Sequence, residues 1–133
     1  MFKLIAPKRG QDEYGSGEFG APRGNHTHRG IDFAAAYGSE LLSSVFGEVT
    51  KLGYPYADDL TFRYVEITDE NSLRHRFFYV SPLVEVGEDV FVGGIIGKVQ
   101  DIAGRYSDKH MINHFHYEVK GLQGEYIDPQ NFL

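Results

Sequence analysis

The chain has no cysteine and no tryptophan, and only 2 methionines and 5 prolines among its 133 residues. Without cysteine there is no disulfide and no thiolate ligand, so any bound metal must be held by nitrogen and oxygen. That absence leaves the redox compartment open. Long apolar runs are missing too. The opening "MFKLIAP" (1–7) turns polar too soon for a signal peptide or a membrane span. The expectation is a cytoplasmic protein, or one released by lysis or as part of a phage particle. Positive charge is scarce: 13 Lys and Arg stand against 19 Asp and Glu, a formal net charge of −6. Neither nucleic acid nor an anionic membrane is then a favoured partner. Sustained helical periodicity is also absent. The nearest stretch, "DFAAAYGSELL" (32–42), is interrupted by Gly38. No internal repeat or low-complexity segment occurs.

What is present is enough for one domain over 1–133. At 41% hydrophobic residues, with 9 Tyr and 10 Phe, the chain can bury a core without staples. "LLSSVFGEVTKLGY" (41–54), "FRYVEITD" (62–69), "RHRFFYV" (74–80) and "HFHYEVKG" (114–121) read as strands, rich in β-branched and aromatic residues and bounded by Gly, Asp and Asn. Gly47, Gly53, Gly87, Gly93, Gly94, Gly97 and Gly104 punctuate the middle as turns between short strands. "VEVGEDVFVGGIIG" (84–97) has the glycine density of a phosphate loop, but no helix follows and no Lys-Ser/Thr closes it. Tight turns are the better reading. The expected fold class is all-β, mainly antiparallel sheet with long loops. Residues 1–27, Gly-rich and mixed in charge, form a long N-terminal loop. Tyr54 and Tyr56, in "GYPYADDL", either border a groove or anchor their loop.

The chemistry is concentrated in "HTHRGIDF" and "NHFHYEV". His28 and Asp32 in the first, with His114 and His116 in the second, supply a His, Asp, His ligand set and one further His. Imidazole and carboxylate suit zinc, and three protein ligands leave a position open for water or substrate, as in catalytic sites. His114 and His116 are two apart in a strand-like run, so they share a face about 7 Å apart. One can bind metal while the other faces the substrate. Gly30, between His28 and Asp32, suits a bend. Two neutral imidazoles and one carboxylate leave zinc a net charge of about +1, which lowers the pKa of a bound water toward ~7.

The block "HRGIDFAAAYGSELLSSVFGEVTKLG" resembles the lysostaphin-type zinc endopeptidases, whose signature opens with His-x-Gly-x-Asp. "GSELLSSVFGEV" (38–49), "VEVGEDVFVGGIIGKV" (84–99), "HFHYEV" (114–119) and "YIDPQNFL" (126–133) are similar to further motifs of that family, in the same order. The resemblance runs from about Phe19 to Leu133. It implies a single lysostaphin-type, duplicated-hybrid-motif-like domain with a metal-lined groove, into which residues 1–27 lead. It also implies a zinc-dependent endopeptidase acting on peptidoglycan peptides through a zinc-activated water. His28, Asp32 and His116 would be the Zn²⁺ ligands and His114 a catalytic histidine, with Tyr79 and Ser81 beside the substrate.

One departure bears on activity. Active members carry a further catalytic histidine in a Tyr-x-His-Leu strand, and here "FFYVSPL" (77–83) aligns Tyr79 with the Tyr and Ser81 with the His. "FYVSP" is similar instead to the leukocyte cell-derived chemotaxin branch, regarded as binding proteins that keep the zinc ligands. Losing one such hydrogen-bond donor costs ~10²–10³ in rate. The alternative expectation is therefore a catalytically impaired module that binds a peptide or glycan, or serves structurally. Among possible substitutes, His75 shares the strand parity of Ser81 but stands about 20 Å away along an extended chain. His26, in an extended "HTH", would come within roughly 7 Å of His28 and so stand beside the substrate, or else is a solvent-exposed loop histidine.

Overall fold

The computed structural model describes residues 11–12, 15–16, 22–23, 26–27, 29–106 and 111–133, with side chains for 29–105 and 111–133. Its strands are β1 (Gln11–Asp12), β2 (Gly15–Ser16), β3 (Pro22–Arg23), β4 (His26–Thr27), β5 (Ile31–Ala34), β6 (Glu40–Leu42) and β7 (Gly47–Gly53), followed by β8 (Tyr64–Thr68), β9 (Arg74–Phe78), β10 (Val80–Pro82), β11 (Asp89–Val90), β12 (Ile95–Val99), β13 (His114–Lys120) and β14 (Tyr126–Ile127). A seven-stranded sheet runs β11-β7-β8-β9-β13-β14, and β5 also pairs with β13. A three-stranded sheet runs β10-β12-β6. All the pairings are antiparallel, as expected for the all-β class. Two short 3-10 turns, Ala103–Tyr106 and Pro129–Phe132, are the helical elements among the described residues.

Strand parity divides the large sheet into two faces. Phe115, Tyr117 and Val119 of β13 point into the core with Ile31 and Phe33 of β5, Val65 and Ile67 of β8 and Phe77 of β9. Leu41, Val80, Ile96 and Val99 join them from the small sheet. Burying each such large apolar side chain contributes ~1.5–3 kcal/mol relative to exposure. The intervening residues, Asp32, Glu66, Arg76, His114, His116 and Glu118, stand on the opposite face. That alternation puts the candidate site on the outer face of the same strands that build the core.

One histidine lies on the core side. His75 of β9 is fully buried, with Nε2 2.8 Å from Asp69 Oδ2 and Nδ1 2.7 Å from Tyr117 Oη. Burial lowers its pKa, and the Asp69 carboxylate opposes this without reversing it. The ring is therefore neutral: Nε2–H donates to Asp69, and Nδ1 accepts from the Tyr117 hydroxyl. His75 has a structural task there and is no substitute for a histidine at Ser81.

Four local features differ from the sequence expectations. The expected strand over 41–54 is two, β6 and β7, because Ser43 turns back on itself, its Oγ and the Val45 backbone exchanging hydrogen bonds. The 74–80 strand breaks at Tyr79, whose φ of 68° is a left-handed conformation costing a bulky residue ~1–3 kcal/mol. There the amides of Tyr79 and Val80 both donate to the Arg63 carbonyl, and the chain leaves the large sheet for the small one. Not all the glycines mark turns: Gly47, Gly53 and Gly97 lie within strands, whereas Gly87 and Gly93 turn with positive φ. Within the expected 1–27 loop, β1 pairs with β2 and β3 with β4, each as a two-residue ladder.

Candidate metal centre

The site is assembled by one pairing. β5 lies antiparallel to β13 with Asp32 opposite His116 and Ala34 opposite His114. His116 Nδ1 comes 2.9 Å from Asp32 Oδ1, and His114 Nε2 lies 3.7 Å from Asp32 Oδ2. Asp32 and His114 are buried, at 3% and 4% exposure. The two imidazoles and the carboxylate thus share one corner of the outer face, although 84 positions separate Asp32 from His116.

Each ring is held by its other nitrogen. His114 Nδ1 lies 2.8 Å from the Ile112 carbonyl, which can only accept, so Nδ1 carries the proton and a neutral ring presents Nε2 as an acceptor. His116 Nε2 lies 3.0 Å from Glu118 Oε1. Burial disfavours charge on His116, but hydrogen bonds and attraction from Asp32 and Glu118 outweigh it and push its pKa up to about 9. The His116 ring stands between two carboxylates, Asp32 on its Nδ1 side and Glu118 on its Nε2 side.

The donor set suits zinc, which takes imidazole nitrogen and carboxylate oxygen. Glu118 completes a carboxylate–histidine arrangement common behind metal ligands, where the outer partner fixes ring orientation. Among the described residues, no group of three or more His, Cys, Asp or Glu side chains is arranged to hold a metal ion. Asp32 and His116 supply two donors, and the expected third, His28, lies outside the described residues. His110 lies outside them as well, and of His26 only the backbone, in β4, is described.

The remaining candidates form a wall beside His114. The Tyr79 ring meets His114 edge to face at 5.7 Å, and stacks against Tyr56 at 6.2 Å with the two hydroxyls 3.4 Å apart. Arg105 lies over Tyr56 at 4.0 Å and pairs with Asp59 at 3.0 Å. Tyr54 goes elsewhere, under Arg63 at 4.3 Å. Of the two loop tyrosines, then, Tyr56 adjoins the site. Ser81 is exposed on β10, opposite Lys98 of β12. Both line a cleft of about 610 Å³ with Tyr37, Phe62 and Gln100. Phe62 also touches Tyr79, edge to face at 6.3 Å.

Two contributors escaped the sequence reading. Glu118 was legible by parity, since His116-x-Glu118 places both on one face. Gly30 was read as a bend, but a Cβ there would stand 2.3 Å from the Tyr117 carbonyl and 2.7 Å from His116 Cε1. Its bare backbone is what allows β5 to approach the His116 ring.

The two larger antiparallel sheets, with a His-rich corner on the outer face of one, form a lysostaphin-like fold. The chain belongs to peptidase family M23, whose model matches residues 26–129. The catalytic domain of the antimicrobial peptidase lysostaphin from Staphylococcus simulans shares the fold at a TM-score of 0.68 and 21% identity, over 89% of each chain. A mutant catalytic domain of the prophage-encoded M23 protein EnpA from Enterococcus faecalis matches at 0.68 and 21%, over 98% of this chain and 93% of that one. Helicobacter pylori Csd3 matches at 0.65 and 24%, over 99% of this chain. The chain spans only 32% of the length of Csd3.

Proposed function

We propose that this protein is a zinc metalloendopeptidase acting on peptidoglycan peptides. Family M23 comprises, in general, zinc-dependent peptidoglycan endopeptidases. The observation that carries the reading for this chain is the convergence of His116 Nδ1 and His114 Nε2 on the two oxygens of Asp32. His28, Asp32 and His116 would hold the zinc. Bound there, it supplies a Lewis acid that polarises a carbonyl and acidifies water.

The chain's own groups divide the other tasks. His114 Nε2, kept as an acceptor by the bond from Nδ1–H to Ile112, takes the proton released as water adds to the scissile carbonyl. Tyr79 backs the His114 ring and limits its tilt. The peptide lies along the wall of Tyr56 and Tyr79 into the cleft of Ser81 and Lys98. His26, two residues before His28 and on an extended segment, would stand beside the substrate.

A second reading, a zinc-bearing module that recognises a peptide or glycan without cutting it, is favoured by Ser81. Its hydroxyl lines the cleft where active relatives carry histidine, and serine without a base is a poor nucleophile. Hydrolysis of purified peptidoglycan by zinc-loaded and by chelated protein, with new amino termini counted, separates the two. Zinc-dependent release supports the peptidase. Stoichiometric zinc with no release supports the binding module.

A further inference from the structure

A row of alternating charge crosses the outer face of the large sheet and ends on His116. From His116 Nε2 it passes to Glu118 Oε1 at 3.0 Å, and from Glu118 Oε2 to Arg76 Nη1 at 3.8 Å. Arg76 Nε then donates to Glu66 Oε2 at 2.8 Å, and the Thr50 hydroxyl donates to Glu66 Oε1 at 2.8 Å. The register aligns the row: Glu118 is opposite Arg76, and Arg76 is opposite Glu66. Thr50 is the extra residue of the irregularity between Val49 and Lys51 on β7. The row is largely withdrawn from water, with Glu66 and Glu118 at 6% exposure and the Arg76 side chain at 15%.

Arg76 stands between two buried carboxylates, Glu66 and Glu118. Its Nε donates to Glu66 and its Nη1 faces Glu118, so the rigid guanidinium plane fixes where the Glu118 carboxylate points. The Glu118 side chain in turn accepts from His116 Nε2–H, which leaves Nδ1 to face Asp32. We propose that Arg76 is a positioning residue: acting through Glu118, it fixes the His116 ring with Nδ1 toward Asp32 and so sets how tightly the corner binds a divalent metal ion. The inference rests on the reading of His116 as a ligand. Arg76 reaches His116 through Glu118, and its guanidinium also lies over the Tyr64 ring at 5.4 Å.

The test compares the parent protein with Arg76→Met, Arg76→Lys and Glu66→Gln. Zinc affinity is measured by competition with a chromophoric chelator, and the His116 ring by ¹⁵N imidazole shifts in chelated protein. Outer partners of metal ligands are typically worth ~10–100-fold in affinity, and a loss in that range is expected for Arg76→Met. Arg76→Lys should recover part of it, and Glu66→Gln should lose less than Arg76→Met. The ring shifts of Arg76→Met should show Nε2–H no longer held. If Arg76→Met does not fold, Arg76→Lys must still bind zinc more weakly than the parent. Equal affinity and unchanged ring shifts in folded variants would overturn this inference while leaving the site reading intact. No zinc binding by the parent would overturn both.

Discussion

Gly30 lies flat against the imidazole of His116, so close that a Cβ at residue 30 would come within 2.8 Å of the ring's Nε2. The same Cβ would meet the Tyr117 carbonyl at 2.3 Å, a backbone atom that cannot swing away. The glycine of the His-x-Gly-x-Asp signature thus has a steric duty to the second half of the ligand set.

Gly30→Ala should therefore displace β5 from β13 and push His116 out of line with Asp32. Overpacking of this kind costs ~1–3 kcal/mol. Urea unfolding of the chelated protein should show that loss, and zinc affinity should fall with it. Parent-like affinity would mean that the corner yields without harm to the ligands.

Asp32→Ala removes a proposed ligand and the acceptor facing both histidines. Zinc affinity should fall by more than the ~10–100-fold typical of outer partners. His114→Ala should leave zinc content near the parent's and abolish peptidoglycan hydrolysis. A His114→Ala protein that released termini at the parental rate would remove His114 from catalysis. Unchanged metal content in Asp32→Ala would remove Asp32 from the ligand set.

Ser81→His installs, at an exposed position of the cleft, the histidine that the family resemblance leads one to expect there. If a missing hydrogen-bond donor is what limits the chemistry, hydrolysis should rise by ~10²–10³ with little change in zinc affinity. A zinc-loaded Ser81→His protein that still released no termini would point to the binding module.

His75 makes stability pH-dependent. Its folded pKa is lowered by burial, so below the unfolded value of about 6.5 the unfolded chain takes up a proton that the fold excludes. The stabilisation is complete above that pH and is lost as pH falls from there toward the folded pKa. The loss should approach ~1.4 kcal/mol per pH unit at most. Denaturant unfolding of zinc-free protein between pH 7 and 5 measures it, and His75→Gln should flatten the slope in that window. An equal slope in both proteins would place the titration elsewhere.

Much of this molecule was legible before folding because strands alternate with period two. That rule put His114, His116 and Glu118 on one face of β13 and Phe115, Tyr117 and Val119 on the other. Family M23 and the all-β fold were readable from ordered motifs, each local in the chain. Pairing register was not readable, because it depends on contacts between distant strands. Only the folded sheets set Asp32 against His116 and Arg76 between Glu66 and Glu118. Local strain was equally hidden: Tyr79 is left-handed where the chain turns between sheets, its amide and that of Val80 both donating to the Arg63 carbonyl. Residue types and their spacing therefore determined which groups could meet a metal. Tertiary packing decided which nitrogen of His116 faces Asp32 and which carboxylate holds the other.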